Sequence, residues 1–202
     1  MNMGKIVIVG NQKGGVGKST ITAMIASHLF KLEKKVLVID GDDLQQSLSK
    51  IREREGGESY ELVKSTTREI PGVVDNLKNI YDYIFIDIPG NLKQEGVVNT
   101  LLICDKVVVP VSLSELDIDS TKDFIGFLKN TVEVDIIGVF NKVNIQTVEY
   151  RQVKDLDEIM GVKFCKIPIK NSVNIARGVS TIDMDAGEYI GLMEELTKFL
   201  EE

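Results

Sequence analysis

Cysteine is scarce in this chain: Cys104 and Cys165 stand far apart, with no Cys-x-x-Cys spacing. That excludes a disulfide framework and a short-spaced thiolate metal centre. Both thiols lie among apolar neighbours and read as small buried hydrophobes. Histidine is scarcer still. His28 alone cannot build a metal site and reads as a surface or boundary residue. No apolar run approaches the ~20 residues needed to span a bilayer. The N-terminus enters a strand at once, which argues against a leader peptide. Gly4 is not next to the initiator methionine, so the myristoylation pattern is missing. Positive charge is not in excess either: 24 Lys and Arg face 31 Asp and Glu, for a net charge of −7. The chain as a whole does not advertise nucleic-acid binding, although a local basic patch suffices for phosphate contact. There is no internal repeat and no low-complexity linker. With 202 residues, 43% of them hydrophobic, residues 1–202 suit one domain with a sizeable core.

What is present is an alternation of apolar runs and helical patterns. Residues 6–9, 36–40, 59–63, 83–87, 106–111, 135–141 and 162–168 read as strands, with a weak eighth around 179–182. Apolar runs without alternation suit strands covered on both faces, as in parallel sheets. Helices are expected over 44–54, 73–80, 96–104, 120–129, 148–160 and 186–200. The fold expected is α/β: a doubly wound, mostly parallel sheet of about seven or eight strands with helices on both faces. Right-handed crossovers then bring every strand C-terminus to one edge. Gly56 and Gly57, among charged neighbours, read as a mobile turn. The last helix sets Leu192, Met193, Leu196, Phe199 and Leu200 against Glu194, Glu195, Glu201 and Glu202. Membrane-surface helices favour Lys and Arg on the polar face, so this one reads as packed on the core.

The chemistry gathers at that edge. Between the first strand and first helix runs Gly10-Asn11-Gln12-Lys13-Gly14-Gly15-Val16-Gly17-Lys18-Ser19-Thr20. Strand, glycine-rich turn and helix is the setting of a phosphate-binding loop. Glycines let backbone N–H groups turn inward, and the helix N-terminus adds free N–H groups and partial positive charge. Lys18 would reach the β- and γ-phosphates, and the Ser19 hydroxyl would ligate Mg²⁺. Two strands end in carboxylates, Asp40 followed by Asp42, and Asp87 followed by Ile88-Pro89-Gly90. Carboxylates at a helix N-terminus are also good caps, which leaves Asp42 and Asp43 a structural alternative. Asn141-Lys142-Val143-Asn144 approximates a guanine-reading motif, but Asn144 lacks the carboxylate that accepts two guanine hydrogens, which favours ATP.

The order Lys13-Gly14-Gly15-Val16-Gly17-Lys18-Ser19, with Gln12 where the ordinary loop has glycine, resembles the deviant phosphate loop of the ParA/MinD superfamily of P-loop ATPases. The segments 36–47, 83–90 and 107–117 also resemble that family, most of all its small ParA-type partition ATPases. The resemblance implies a Mg²⁺-dependent ATPase whose Lys13 crosses a homodimer interface to the other subunit's nucleotide. It implies that Lys13, Gly14, Gly15, Val16, Gly17, Lys18, Ser19 and Thr20 cradle ATP. It implies Asn141 touching adenine and Pro168 packing on the base. Asp42 would position the attacking water, and Ser19, Asp40 and Asp87 would serve the metal. The family continues with Asp-Pro-Gln where this chain has Asp42-Asp43-Leu44-Gln45, so the water-positioning role falls to Asp42 or Asp43. Late basic residues, Lys163, Lys166, Lys170 and Arg177, fall where ParA proteins contact DNA, and Lys170 and Arg177 are singled out. The implied partners are non-specific DNA and a centromere-binding or cargo adaptor protein. The implied place is cytoplasmic, at the nucleoid and not at a membrane. The alternatives are a MinD-like or protein-cargo positioning ATPase, or a metabolic P-loop enzyme acting on a small substrate.

Overall fold

The computed structural model describes residues 3–42, 47–55, 59–147, 156–171 and 188–202. Seven parallel strands form one sheet: β1 (Lys5–Val9), β2 (Val36–Asp40), β3 (Glu61–Lys64), β4 (Tyr83–Asp87), β5 (Lys106–Val111), β6 (Asp135–Phe140) and β7 (Lys163–Phe164). Their spatial order is β3-β2-β4-β1-β5-β6-β7. The helices are α1 (Lys18–Lys31), α2 (Ser47–Glu55), α3 (Ile70–Leu77), α4 (Val97–Leu101), α5 (Glu115–Thr131), α6 (Leu156–Met160) and α7 (Ile190–Glu201).

The period of two in the strands sorts the core into two halves. Val7, Val9, Val36, Val38, Phe85, Val108 and Val139 meet α1 and α7 on one face through Ile21, Met24, Ile25, Leu29, Leu192, Met193, Leu196 and Leu200. Ile6, Ile8, Leu37, Ile39, Ile84, Ile86, Val107 and Val109 meet α3, α4, α5 and α6 on the other. β2, β4 and β5 are buried along their whole length, and β1 from Ile6 onward, as strands covered on both sides must be. β1 lies between β4 and β5, so the chain winds away from it in opposite directions. Such a reversal leaves a crevice beyond the strand ends, where ligands of these sheets bind.

Several boundaries differ from the sequence reading. The strand expected over 162–168 shrinks to two residues, because the Lys166 N–H leaves the sheet and donates to Glu195 of α7 at 2.8 Å. The chain rejoins β6 only where the Ile169 N–H donates to the Phe140 carbonyl at 2.8 Å. Helix α5 starts five residues early because Ser114 caps it, accepting the Asp117 N–H at 3.2 Å. α3 also starts early, at Ile70, with Pro71 in its first turn. His28 is buried, not at the surface, since α1 is enclosed from Ile21 through Leu29. Cys165 is buried, and Cys104 half-buried; burial pushes both thiols up to about 12. The eighth strand, the glycine turn at 56–57, Asp43, Gln45 and Arg177 lie outside the described residues.

Candidate functional site

The site grows out of the end of β1. Val9 stands in register with Asp87 of β4 and Val108 of β5. The next N–H, on Gly10, donates to the Val108 carbonyl at 3.0 Å. Asn11 is buried and fastens the base of the loop: its amide donates to the Pro110 carbonyl and the Thr121 hydroxyl, each at 2.8 Å. Its oxygen accepts the Lys13 N–H at 3.0 Å. Gly15 and Gly17 have φ of +76° and +98°, a region where a Cβ is strained. Gly17 caps α1 without a side-chain partner, so the first N–H groups of the helix remain available to an anion. Lys18, the first helical residue, donates from Nζ to the Lys13 carbonyl at 3.4 Å. Burial lowers its pKa, opposed by the charges of Asp87 and Asp42.

The far wall of the loop comes from the end of β6. Asn141 Nδ2 donates to the Val16 carbonyl at 2.7 Å, and Lys142 Nζ to the Gly15 carbonyl at 2.6 Å. Asn141 is buried and presses so closely on Gly17 that no side chain would fit there. The segment carrying Pro168 runs beside it, joined where the Val143 N–H donates to the Ile169 carbonyl at 3.0 Å.

Asp40 and Asp87 are direct neighbours in the ladder between β2 and β4, and both are buried. Asp87 Oδ2 accepts the Ser19 hydroxyl at 2.5 Å, while its Oδ1 is buried without a hydrogen-bond partner. Burial pushes the Asp87 carboxyl up to about 7; Ser19 and Lys18 pull it down, and the nearby Asp40 and Asp42 push it further up. Burial raises Asp40 as well, partly offset by bonds from the Asp42 N–H at 3.3 Å and the Ser49 hydroxyl at 3.4 Å. A buried carboxylate oxygen with no donor is costly unless a cation meets it. Ser19, Asp87 and Asp40 therefore fit a hard divalent cation. Among the described residues no three His, Cys, Asp or Glu side chains form a self-sufficient metal site. The ion that suits such a sparse set is Mg²⁺, which keeps waters and takes phosphate oxygens. Asp42 sits half-buried at the mouth. Gly90 closes the wall beyond Asp87, and a Cβ there would stand 2.5 Å from the Gln12 carbonyl.

Lys13 reaches out of the loop toward α5. Its ammonium lies 3.3 Å from Asp117, which also accepts the Ser112 hydroxyl. Burial would raise the Asp117 carboxyl, but bonds from Ser112 and Ser114 and the Lys13 charge hold it below its usual range. Gly14 and Gly15 are exposed, and Ser19 and Thr20 half-buried at the start of α1. The structure thus gathers Lys13 through Thr20, Asp40, Asp42, Asp87 and Asn141 at one edge. It does not gather Lys170 there as a free cation: its Nζ pairs with Glu188 at 2.6 Å. Sequence reasoning quoted Asn11 and Lys142 within motifs without giving either a role, and missed Ser49 and Thr121. Asn11, a polar residue two positions past the end of β1, was the one legible clue among them.

The model of the CobQ/CobB/MinD/ParA nucleotide binding domain matches residues 7–183. A putative septum site-determining protein MinD from Emiliania huxleyi is 26% identical over 79% of this chain and 72% of its own length. In fold, the chain resembles a chain of the MinC:MinD cell division protein complex from Aquifex aeolicus, with a TM-score of 0.77, 21% identity, and coverage of 98% and 96% of the two chains. It also resembles MinD complexed with Mg-ADP from Pyrococcus horikoshii, with a TM-score of 0.72, 21% identity, and coverage of 98% and 97%. A putative plasmid partition protein from Borrelia burgdorferi bound to AMPPNP gives a TM-score of 0.73 at 21% identity, covering 98% and 99%. With its strand–loop–helix cradle, its paired buried carboxylates and a family model spanning most of its length, the chain belongs to the CobQ/CobB/MinD/ParA family of nucleotide-binding domains.

Proposed function

We propose that the chain is an ATP-dependent dimerising switch ATPase that serves DNA segregation, hydrolysing ATP slowly with Mg²⁺. The observation that carries this reading is the placement of Lys13. It belongs to the phosphate loop, yet its ammonium is engaged by Asp117 of α5, outside its own cradle. A second cation at the rim of the site has the reach to serve the triphosphate held by another copy. Two copies meeting through this edge would each hand Lys13 across, and Asp117 would release it.

The chain's other groups fall into matching roles. Lys18 neutralises the β- and γ-phosphates, and the backbone N–H groups of residues 14–20 hold their oxygens. Ser19 and Asp87 would hold Mg²⁺, with Asp40 on its water shell. The ion, when bound, neutralises charge on the transferring phosphoryl group. Asp42 orients a water for in-line attack on the γ-phosphorus, a positioning role more than proton abstraction. Asn141 and Pro168 flank the place of the adenine. The carbonyl-bound amide of Asn141 fixes that wall of the pocket.

In the ATP dimer, Lys170 and Arg177 would face DNA phosphates. The Lys170–Glu188 pair is exposed, and such pairs contribute little, so phosphate can compete for the lysine. A centromere-binding or cargo adaptor protein would stimulate hydrolysis and release the DNA. A second reading, a MinD-like positioning ATPase, is favoured by the MinD relative that matches 79% of this chain. The acidic face of α7 argues against a membrane anchor there.

The test of the dimer is light scattering with ATP. The unaltered chain is expected to double in mass with ATP and not with ADP. Lys13→Ala should still bind ATP but remain monomeric and inactive. A Lys13→Ala variant that dimerises normally would remove the basis of this reading.

A further inference from the structure

Lys142 has no part in the scheme above, yet its backbone is unusual. Its φ is 58°, in the left-handed region that costs a residue with a Cβ. The only other such non-glycine among the described residues is Glu33, which directly follows the end of α1, where left-handed turns are common. Lys142 follows a strand and has no helix end to finish. A glycine or asparagine would sit there more easily, so the position keeps lysine for what the side chain does. What it does is visible: an exposed lysine delivers its ammonium to the Gly15 carbonyl at 2.6 Å, beside the Asn141 amide on the Val16 carbonyl at 2.7 Å.

Two consecutive carbonyls of the phosphate loop are thereby drawn to one side. In a trans peptide the carbonyl and the following N–H point in opposite directions. Fixing the Gly15 and Val16 carbonyls on the β6 side therefore turns the Val16 and Gly17 N–H groups to the other, the hollow side of the loop. The base of the loop is held at Lys13 by Asn11 and Lys18, but Gly14 and Gly15 have no packing of their own: nothing lies within 4 Å of where a Cβ on either would be. A glycine-rich loop left to itself samples many conformations and must lose that freedom on binding.

We propose that Lys142, acting with Asn141, is a positioning residue that holds the phosphate loop in its anion-ready shape before nucleotide arrives. The ammonium–carbonyl bond is charge-assisted and so stronger than a neutral one. Preorganisation of this kind raises affinity by removing an ordering cost. The bond touches backbone shared by every phosphate-bound state. It therefore supports ADP and ATP equally and leaves the rate at saturation unchanged. The inference rests on the nucleotide-binding reading of the site.

The experiment compares Lys142→Gly, Lys142→Met and Lys142→Arg with the unaltered chain. Lys142→Gly keeps the left-handed backbone and removes the amine. Lys142→Met keeps the stem without charge, and Lys142→Arg keeps a cation. Calorimetric titration with Mg-ADP and with Mg-AMPPNP reads affinity, and thermal unfolding without nucleotide reads stability. Lys142→Gly and Lys142→Met are expected to bind both nucleotides about tenfold more weakly. Lys142→Arg should recover most of that, the KM for ATP should rise with kcat unchanged, and the Tm of Lys142→Gly should not fall. Unchanged affinity in Lys142→Gly, or equal affinities in the Met and Arg variants, would overturn the proposal. So would a Tm loss in Lys142→Gly that matches its loss of affinity. No binding by the unaltered chain would instead strike the nucleotide reading itself.

Discussion

At the scale of the residue, Asp87 carries an electrostatic cost. It is buried beside Asp40, with one oxygen bonded to Ser19 and the other bare. Its folded carboxyl holds its proton up to about 7, whereas an unfolded one releases it near 3.9. The folded state thus binds more protons between those values, and the nucleotide-free chain loses stability as pH rises through that window. Above it the contribution is flat. Asp87→Asn removes the titration and keeps an acceptor for Ser19. The variant is expected to be more stable than the unaltered chain at pH 8, by roughly 1–3 kcal/mol, and level with it near pH 4. Urea unfolding at the two pH values checks this, and the difference between the chains reports Asp87 together with its coupling to Asp40. The same variant should lose the Mg²⁺-dependent part of its nucleotide affinity. A residue that weakens the empty fold and strengthens the loaded one is what a site built for a cation requires.

At the scale of the element, the fit between neighbours decides boundaries that pattern alone left open. Gly138 of β6 lies under the Phe164 ring, which stacks on Phe140 with centroids 4.5 Å apart. Gly138→Val would push that ring off and detach β7, with an expected loss of about 2–4 kcal/mol in urea unfolding. Ser114→Ala, removing the cap of α5, should cost about 1 kcal/mol in the same measurement.

These cases also show why some elements were legible and others not. Strands 36–40 and 83–87 end in aspartate after an unbroken apolar run, and the structure reproduces both. A doubly covered strand carries its own signature. The phosphate loop was equally plain, because glycines and lysines at fixed spacing leave few other uses. Strand 162–168 was over-read, since its apolar residues suit a strand while a single carboxylate on α7 takes the Lys166 N–H away. Lys106 is buried against Asp135 at 2.7 Å and the Phe199 ring at 4.9 Å. Both partners are distant in sequence, and no local pattern names them. The same holds for Asn11, whose partners lie on β5 and α5, and for Lys142, whose partner lies in the loop after β1.

At the scale of the whole molecule, the edge beyond the strand ends holds every group the proposed chemistry uses. No helix among the described residues is long and apolar enough to cross a membrane. The segregation reading predicts that DNA retains the chain with ATP and not with ADP, and that retention falls as salt rises. Sedimentation with anionic liposomes separates the MinD-like reading. Pelleting with lipid and ATP, without retention on DNA, would favour that reading over segregation.

The sheet's two rims carry a further meaning. One is the four-residue β3 and the other the two-residue β7. Such stubs offer few open backbone groups for another chain to lengthen the sheet, and short borders of this kind guard against runaway stacking. Growth of this chain into endless ribbons through its sheet edges is thereby disfavoured.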